Sequence, residues 1–124
     1  MSQVLAIAVG GAAGSVLRYW LSTSMYAVAG RAFPYGTLAV NVLGCFAMGV
    51  LFVIFMERLA DSIVWRAGIL IGVLGGFTTF SAFSIETFNL IEQGEPLKAF
   101  ANALLSVVLC VGATWIGALL GKQL

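Results

Sequence analysis

The sequence predicts an all-α membrane protein: one bundle of four spanning helices, the third of them broken, assembling as an antiparallel, dual-topology homodimer. Three observations lead there. The 124 residues are 61% hydrophobic and only 9% charged, with a mean hydropathy of +1.07, whereas a soluble domain carries about a quarter charged residues. Apolar runs of the roughly 20 residues that a membrane helix needs occur in four places. The third run contains Gly75-Gly76-Phe77-Thr78-Thr79-Phe80-Ser81-Ala82-Phe83, a poor composition for a lipid-facing helix. Glycine weakens a helix interior by about 1 kcal/mol relative to alanine, and non-helical backbone at membrane depth survives only when buried in protein or lining a watery cavity.

The spans are placed at Val4–Met25, Tyr35–Met56, Ala67–Ile91 and Leu97–Leu120. Turn and charge signals separate them: Gly30 to Pro34, Glu57 to Asp61, and Glu92 to Pro96. Pro34 and Pro96 suit helix starts, where a missing N–H costs nothing. Tyr19, Trp20, Tyr26, Tyr35 and Trp65 fall near predicted interfaces, as aromatic belts do. The length allows a single domain, residues 1–124. Met1-Ser2-Gln3 lacks the positive region of a secretory signal, so the first span is expected to be retained. Glycine pairs at four-residue spacing (Gly10 and Gly14; Gly68, Gly72 and Gly76; Gly117 and Gly121) let a second backbone approach closely.

The third span reads as two half-helices joined at Gly75–Thr79. Such a break frees backbone N–H and C=O groups to meet an ion, as in transporters with discontinuous helices. A net charge of +1 excludes a nucleic-acid partner. Cys45 and Cys110, both inside apolar runs of a chain without histidine, read as small buried hydrophobes. Nothing resembles a phosphate loop or a catalytic triad, so an enzyme is not expected.

Orientation follows the Lys/Arg bias of short loops, and here the bias vanishes. The side holding both termini carries Arg58, Arg66 and Lys122; the other carries Arg31, Lys98 and Arg18, placed near the end of span one. The balance predicts insertion both ways and an antiparallel dimer. Four helices also enclose little more than their own side chains, so a permeation path needs a second copy.

Candidate lining groups fall on stripes. Asn102, Ser106, Cys110 and Thr114 recur every four residues on one slowly drifting helical face, and Thr37 shares a face with Asn41. Phe80 and Phe83 stand one turn apart, with Ser81 and Ser84 beside them. Amides and hydroxyls donate hydrogen bonds, and phenyl rings present a positive edge. The set suits a small, dehydrated anion better than a cation. Glu86 and Arg18 lie near span ends, where long side chains reach the interface or a hydrated vestibule.

These residues resemble the CrcB/Fluc family of microbial fluoride channels along essentially the whole chain. The resemblance is carried by Gly10-Gly11-Ala12-Ala13-Gly14 with Arg18-Tyr19, by Gly36-Thr37-Leu38-Ala39-Val40-Asn41-Val42-Leu43-Gly44, and above all by Gly75 to Phe83. It implies an antiparallel homodimer in the inner (plasma) membrane, with two fluoride pathways flanking a central two-fold axis. Fluoride would pass the ring edges of Phe80 and Phe83, with Asn41, the hydroxyls Thr79 and Ser81, and the track Asn102, Ser106 and Cys110 along the way. Arg18 and Thr37 would stand at the vestibule. A structural sodium ion (Na+) would sit on the axis, held by the backbone carbonyls of Gly75 and Thr78 from both subunits. Two residues depart from the family pattern: Ala82 replaces a threonine, and Cys110 replaces a hydroxyl with a weaker donor. A small multidrug transporter is also a four-span inverted dimer, but it needs an acid in span one, and Val4–Leu17 has none. A purely structural subunit would explain the glycines but not the polar stripes.

Overall fold

The computed structural model describes residues 2–124; Met1, where the leader expectation begins, lies outside them. The chain forms α1 (Ser2–Ala29), α2 (Tyr35–Glu57), a segmented third span and, last, α6 (Pro96–Gln123). The third span runs through α3 (Ile63–Arg66), a π-helical segment (Ala67–Leu74), α4 (Gly75–Phe77) and α5 (Phe80–Glu92). Four helical units are long and apolar enough to cross a membrane. The expected spans lie inside them, with ends further out: α1 continues to Ala29 and the third span starts at Ile63.

Local chemistry sets the ends. Gly30 closes α1 at φ 82° and Gly94 closes α5 at φ 75°, the left-handed geometry that glycine adopts without steric cost. After α5 the Glu95 amide returns to the Leu90 carbonyl (2.8 Å) and the Gly94 amide to Ile91 (3.0 Å), a Schellman ending. Pro96 is the first residue of α6, and Pro34 immediately precedes α2.

Two parallel helix pairs make the bundle, each seamed by glycine. Along the first, Gly10 lies against the backbone of Gly68 and Gly14 against that of Val73, while Gly72 and Gly76 meet Ile7 and Gly11 in return. Along the second, Gly49 faces the Thr114 backbone, and Gly117 and Gly121 face Phe46 and Val50. Contact order rises together on both members of each pair, so α1 runs parallel to the third span and α2 to α6. That is the up-down-up-down order expected of four spans, and Arg58 at the end of α2 reaches the Leu124 carbonyl at the end of α6.

The apolar core is small, centred on Phe55, Leu70 and Leu74. Large apolar side chains such as Trp20, Phe88, Phe100 and Trp115 are exposed on the protomer. Only lipid or another protein surface can cover so much apolar area.

Candidate functional site

The third span is broken, but over fewer residues than its glycines suggest. Gly75-Gly76-Phe77 stays helical as α4, and only Thr78 (φ −81°, ψ 156°) and Thr79 (φ −152°, ψ 120°) are extended. Gly76 serves packing instead: a side chain there would strike the Gly11 backbone.

Asn41 holds the break open. Its Nδ2 donates to the Thr79 carbonyl (2.9 Å) and its Oδ1 accepts from the Thr79 amide (2.8 Å). With that amide turned to α2, the Gly75 carbonyl loses its usual i+4 donor. Thr79 then caps the next helix, its Oγ1 accepting from the Ala82 amide (3.1 Å) and meeting Ser81 Oγ at 3.3 Å. The break therefore presents a helix N-terminus, with free N–H groups and a positive dipole end, beside the freed carbonyls of α4. One discontinuity offers a place for an anion and a place for a cation.

Two cavities border it, and a third adjoins the second. The one nearest mid-bundle, about 310 Å³, is bounded by Asn41, Cys45, Thr78, Thr79, Phe80, Phe83, Ser106 and Cys110. Thr79 also borders a second, of about 300 Å³, with Arg18, Thr37 and Glu86. Glu86 and Tyr26 in turn border a third, of about 180 Å³, opening among Arg31, Phe33 and Gln93 at the connecting loops. The series leads from one end of the bundle to the middle of α6.

Most expected lining residues converge on this series. Phe80 and Phe83 stand together, ring centroids 5.2 Å apart and planes at 45°, and Phe80 is 79% exposed on the protomer. Ser106 and Cys110 face them across the mid-bundle cavity, and Arg18 and Thr37 share the second. Arg18 sits eleven residues before the end of α1 at Ala29, about 16 Å in at 1.5 Å per residue, deeper than the shorter span placed it. Asn102 goes elsewhere: it is 2% exposed and its Nδ2 donates to Thr87 Oγ1 (2.9 Å), tying α6 to α5. Thr114 also turns inward, bonding the Cys45 and Cys110 carbonyls (3.2 and 3.0 Å).

One lining group escaped the sequence reading, and another was left between two positions. Cys45 follows Asn41 by four residues, the spacing that shares a helix face, and that signal was available. Glu86 sits at the junction of two cavities rather than at the interface. Its Oε1 accepts from Thr37 Oγ1 (2.8 Å) and Tyr26 Oη (3.2 Å), and Arg31 lies 4.8 Å over the Tyr26 ring. Tyr26 thus joins a polar cluster near the end of α1. Among the described residues, no three metal-ligating side chains gather.

Comparison with known proteins agrees with this geometry. Residues 5–118 match the family described as CrcB-like protein, Camphor Resistance (CrcB). A protein of Coxiella burnetii named fluoride-specific ion channel FluC is 54% identical over 98% of this chain and 99% of its own. A protein of the same name from Geobacter sulfurreducens is 52% identical over the full length of both chains. These relatives are named as ion channels and not as enzymes. Matched over nearly its whole length, the chain belongs to the CrcB-like family and is a multi-pass membrane protein.

Proposed function

We propose that this chain is a passive, selective fluoride channel of the bacterial inner (plasma) membrane, letting fluoride leave the cytoplasm down its electrochemical gradient. One observation carries the reading: a series of cavities runs from the loops to a helix break whose lining is amides, hydroxyls, ring edges and a helix N-terminus. No carboxylate borders the cavity that Phe80 and Phe83 bound; Glu86 borders the two that lead to it. The relatives' shared name supports fluoride as the ion.

Hydrogen fluoride is neutral and crosses lipid; in a near-neutral cytoplasm it dissociates and the anion is trapped, because a bare charge in hydrocarbon is very costly. A potential negative inside favours anion exit by about 2.3 kcal/mol per 100 mV. A selective pore then suffices, without ATP or proton coupling. Fluoride stripped of water would meet the remaining Asn41 N–H, the Thr79 and Ser106 hydroxyls and the edges of Phe80 and Phe83.

The protomer supplies half of a route, since the cavities stop at mid-bundle and Phe80 is exposed there. An antiparallel homodimer would continue the route on the second copy and give two pathways. The carbonyls of Gly75 and Thr78 are suited to sodium: Gly75 is exposed on the protomer, its carbonyl has lost its helical donor, and hard cations take carbonyl oxygens.

The test is fluoride efflux from liposomes holding the purified protein, repeated with chloride. Rapid fluoride release with little chloride release is expected. Release of neither ion from a folded dimer would overturn the proposal.

A further inference from the structure

The sequence reads Cys45 as a small buried hydrophobe and Cys110 as that or as a weak donor on the span-four track, and the structure buries neither fully. Both thiols are free and half-exposed on the protomer, on α2 and α6, and both border the mid-bundle cavity. Thr114 sets their relative height: its single O–H lies within hydrogen-bond distance of both cysteine carbonyls and is shared between them. Immediately beyond, Gly49 and Gly117 bring the two helices into backbone contact, so the cysteines cannot drift apart. The rest of this lining offers no carboxylate, and the chain has no histidine.

We propose that Cys45 and Cys110 form a two-thiol site for a soft, divalent cation of the mercuric type, opening on the cavity bounded by Phe80 and Phe83. Thiolate sulfur selects soft metals, and two ligands without a third suit an ion that accepts linear coordination. Charge decides among such ions. One divalent cation replaces two thiol protons, which leave to the cavity water, and two S–metal bonds form with no change of oxidation state. The product is a neutral bis-thiolate, tolerable in a low-dielectric interior; a monovalent soft cation would leave a buried negative charge. Mercury enters readily as its uncharged chloride, and two chloride ions depart. A metal held there would sit one helical turn beyond Asn41 and Ser106, in the cavity that all four residues border, and obstruct it.

The obstruction rests on the channel reading; the binding does not. The test titrates the purified full-length protein with mercuric chloride, following sulfur-to-mercury ultraviolet absorption and counting the thiols consumed. One mercury per chain with loss of both thiols is expected. The second thiol binds intramolecularly, a gain of about 10²–10⁴. So Cys45→Ala and Cys110→Ala should each yield mercury to glutathione at least about 100-fold more readily than the natural protein. Two mercury ions per chain, or equal release from all three proteins, would overturn the site. Stoichiometry in the natural protein decides even if a variant misfolds. In liposomes, mercury should stop efflux and dithiothreitol restore it. One mercury per chain in a protein that never conducts would sink the channel reading and leave the site standing.

Discussion

Removing the Asn41 side chain tests the architecture of the break directly. In Asn41→Ala the Thr79 amide and carbonyl lose partners at 2.8 and 2.9 Å. Each buried backbone group left unpaired costs about 1–3 kcal/mol, although side-chain hydrogen bonds between membrane helices average only about 0.6 kcal/mol. The larger scale governs here, because the lost partner served backbone groups that have no helical alternative. Water in the mid-bundle cavity will satisfy part of the loss, which sets the net at about 2 kcal/mol. Opening at Thr79 then becomes about thirtyfold more frequent. Hydrogen exchange at the Thr79 amide should accelerate by that factor, with fluoride efflux falling in parallel. Asn41→Asp keeps the acceptor for the Thr79 amide but sets a carboxylate against the Thr79 carbonyl, so it should be no better than alanine. Unchanged Thr79 exchange in Asn41→Ala would refute the claim that this amide holds the break.

Further outcomes follow from the same geometry. Phe80→Ile and Phe83→Ile each remove a ring edge while keeping bulk; fluoride efflux should nearly vanish with the dimer intact by gel filtration, and natural flux in both would defeat the ring-edge idea. Gly14→Ala drives a methyl into the Val73 backbone, whereas Gly112→Ala meets nothing within 4 Å; the first should lose about 1–3 kcal/mol of stability and the second almost none, read by denaturant titration in detergent. A C-terminal tag should be reachable from both membrane faces; protection from one face would exclude dual topology. Replacing sodium with a large organic cation should shorten the dimer's lifetime on dilution if the Gly75 and Thr78 carbonyls hold the ion.

The four spans were legible because apolar length and flanking turn residues are local properties. The break was legible in kind but misplaced in cause. Gly75 and Gly76 looked like helix breakers, yet both stay helical and Gly76 admits the α1 backbone, while two threonines carry the extended residues. That outcome depends on a long-range hydrogen bond from Asn41, which no window around the break contains. The π-helical turn at Ala67–Leu74 left no signature in an apolar run for a similar reason. The span-four stripe divides in the structure. Four-residue steps advance about 40° each, so Asn102 and Thr114 flank the cavity face that Ser106 and Cys110 occupy. Their partners, Thr87 on one side and the cysteine carbonyls on the other, are tertiary.

The glycine seams set the tempo of the molecule. Helices in backbone contact cannot rock past one another without parting many atoms at once, so each pair behaves as a rigid stave. A carrier that alternates between faces must cross a conformational barrier on every cycle, and its turnover steepens sharply on warming. Ions moving through a fixed conduit between stiff staves meet only the barriers of shedding and regaining water. The throughput of this protein should therefore change with temperature about as gently as the mobility of ions in solution.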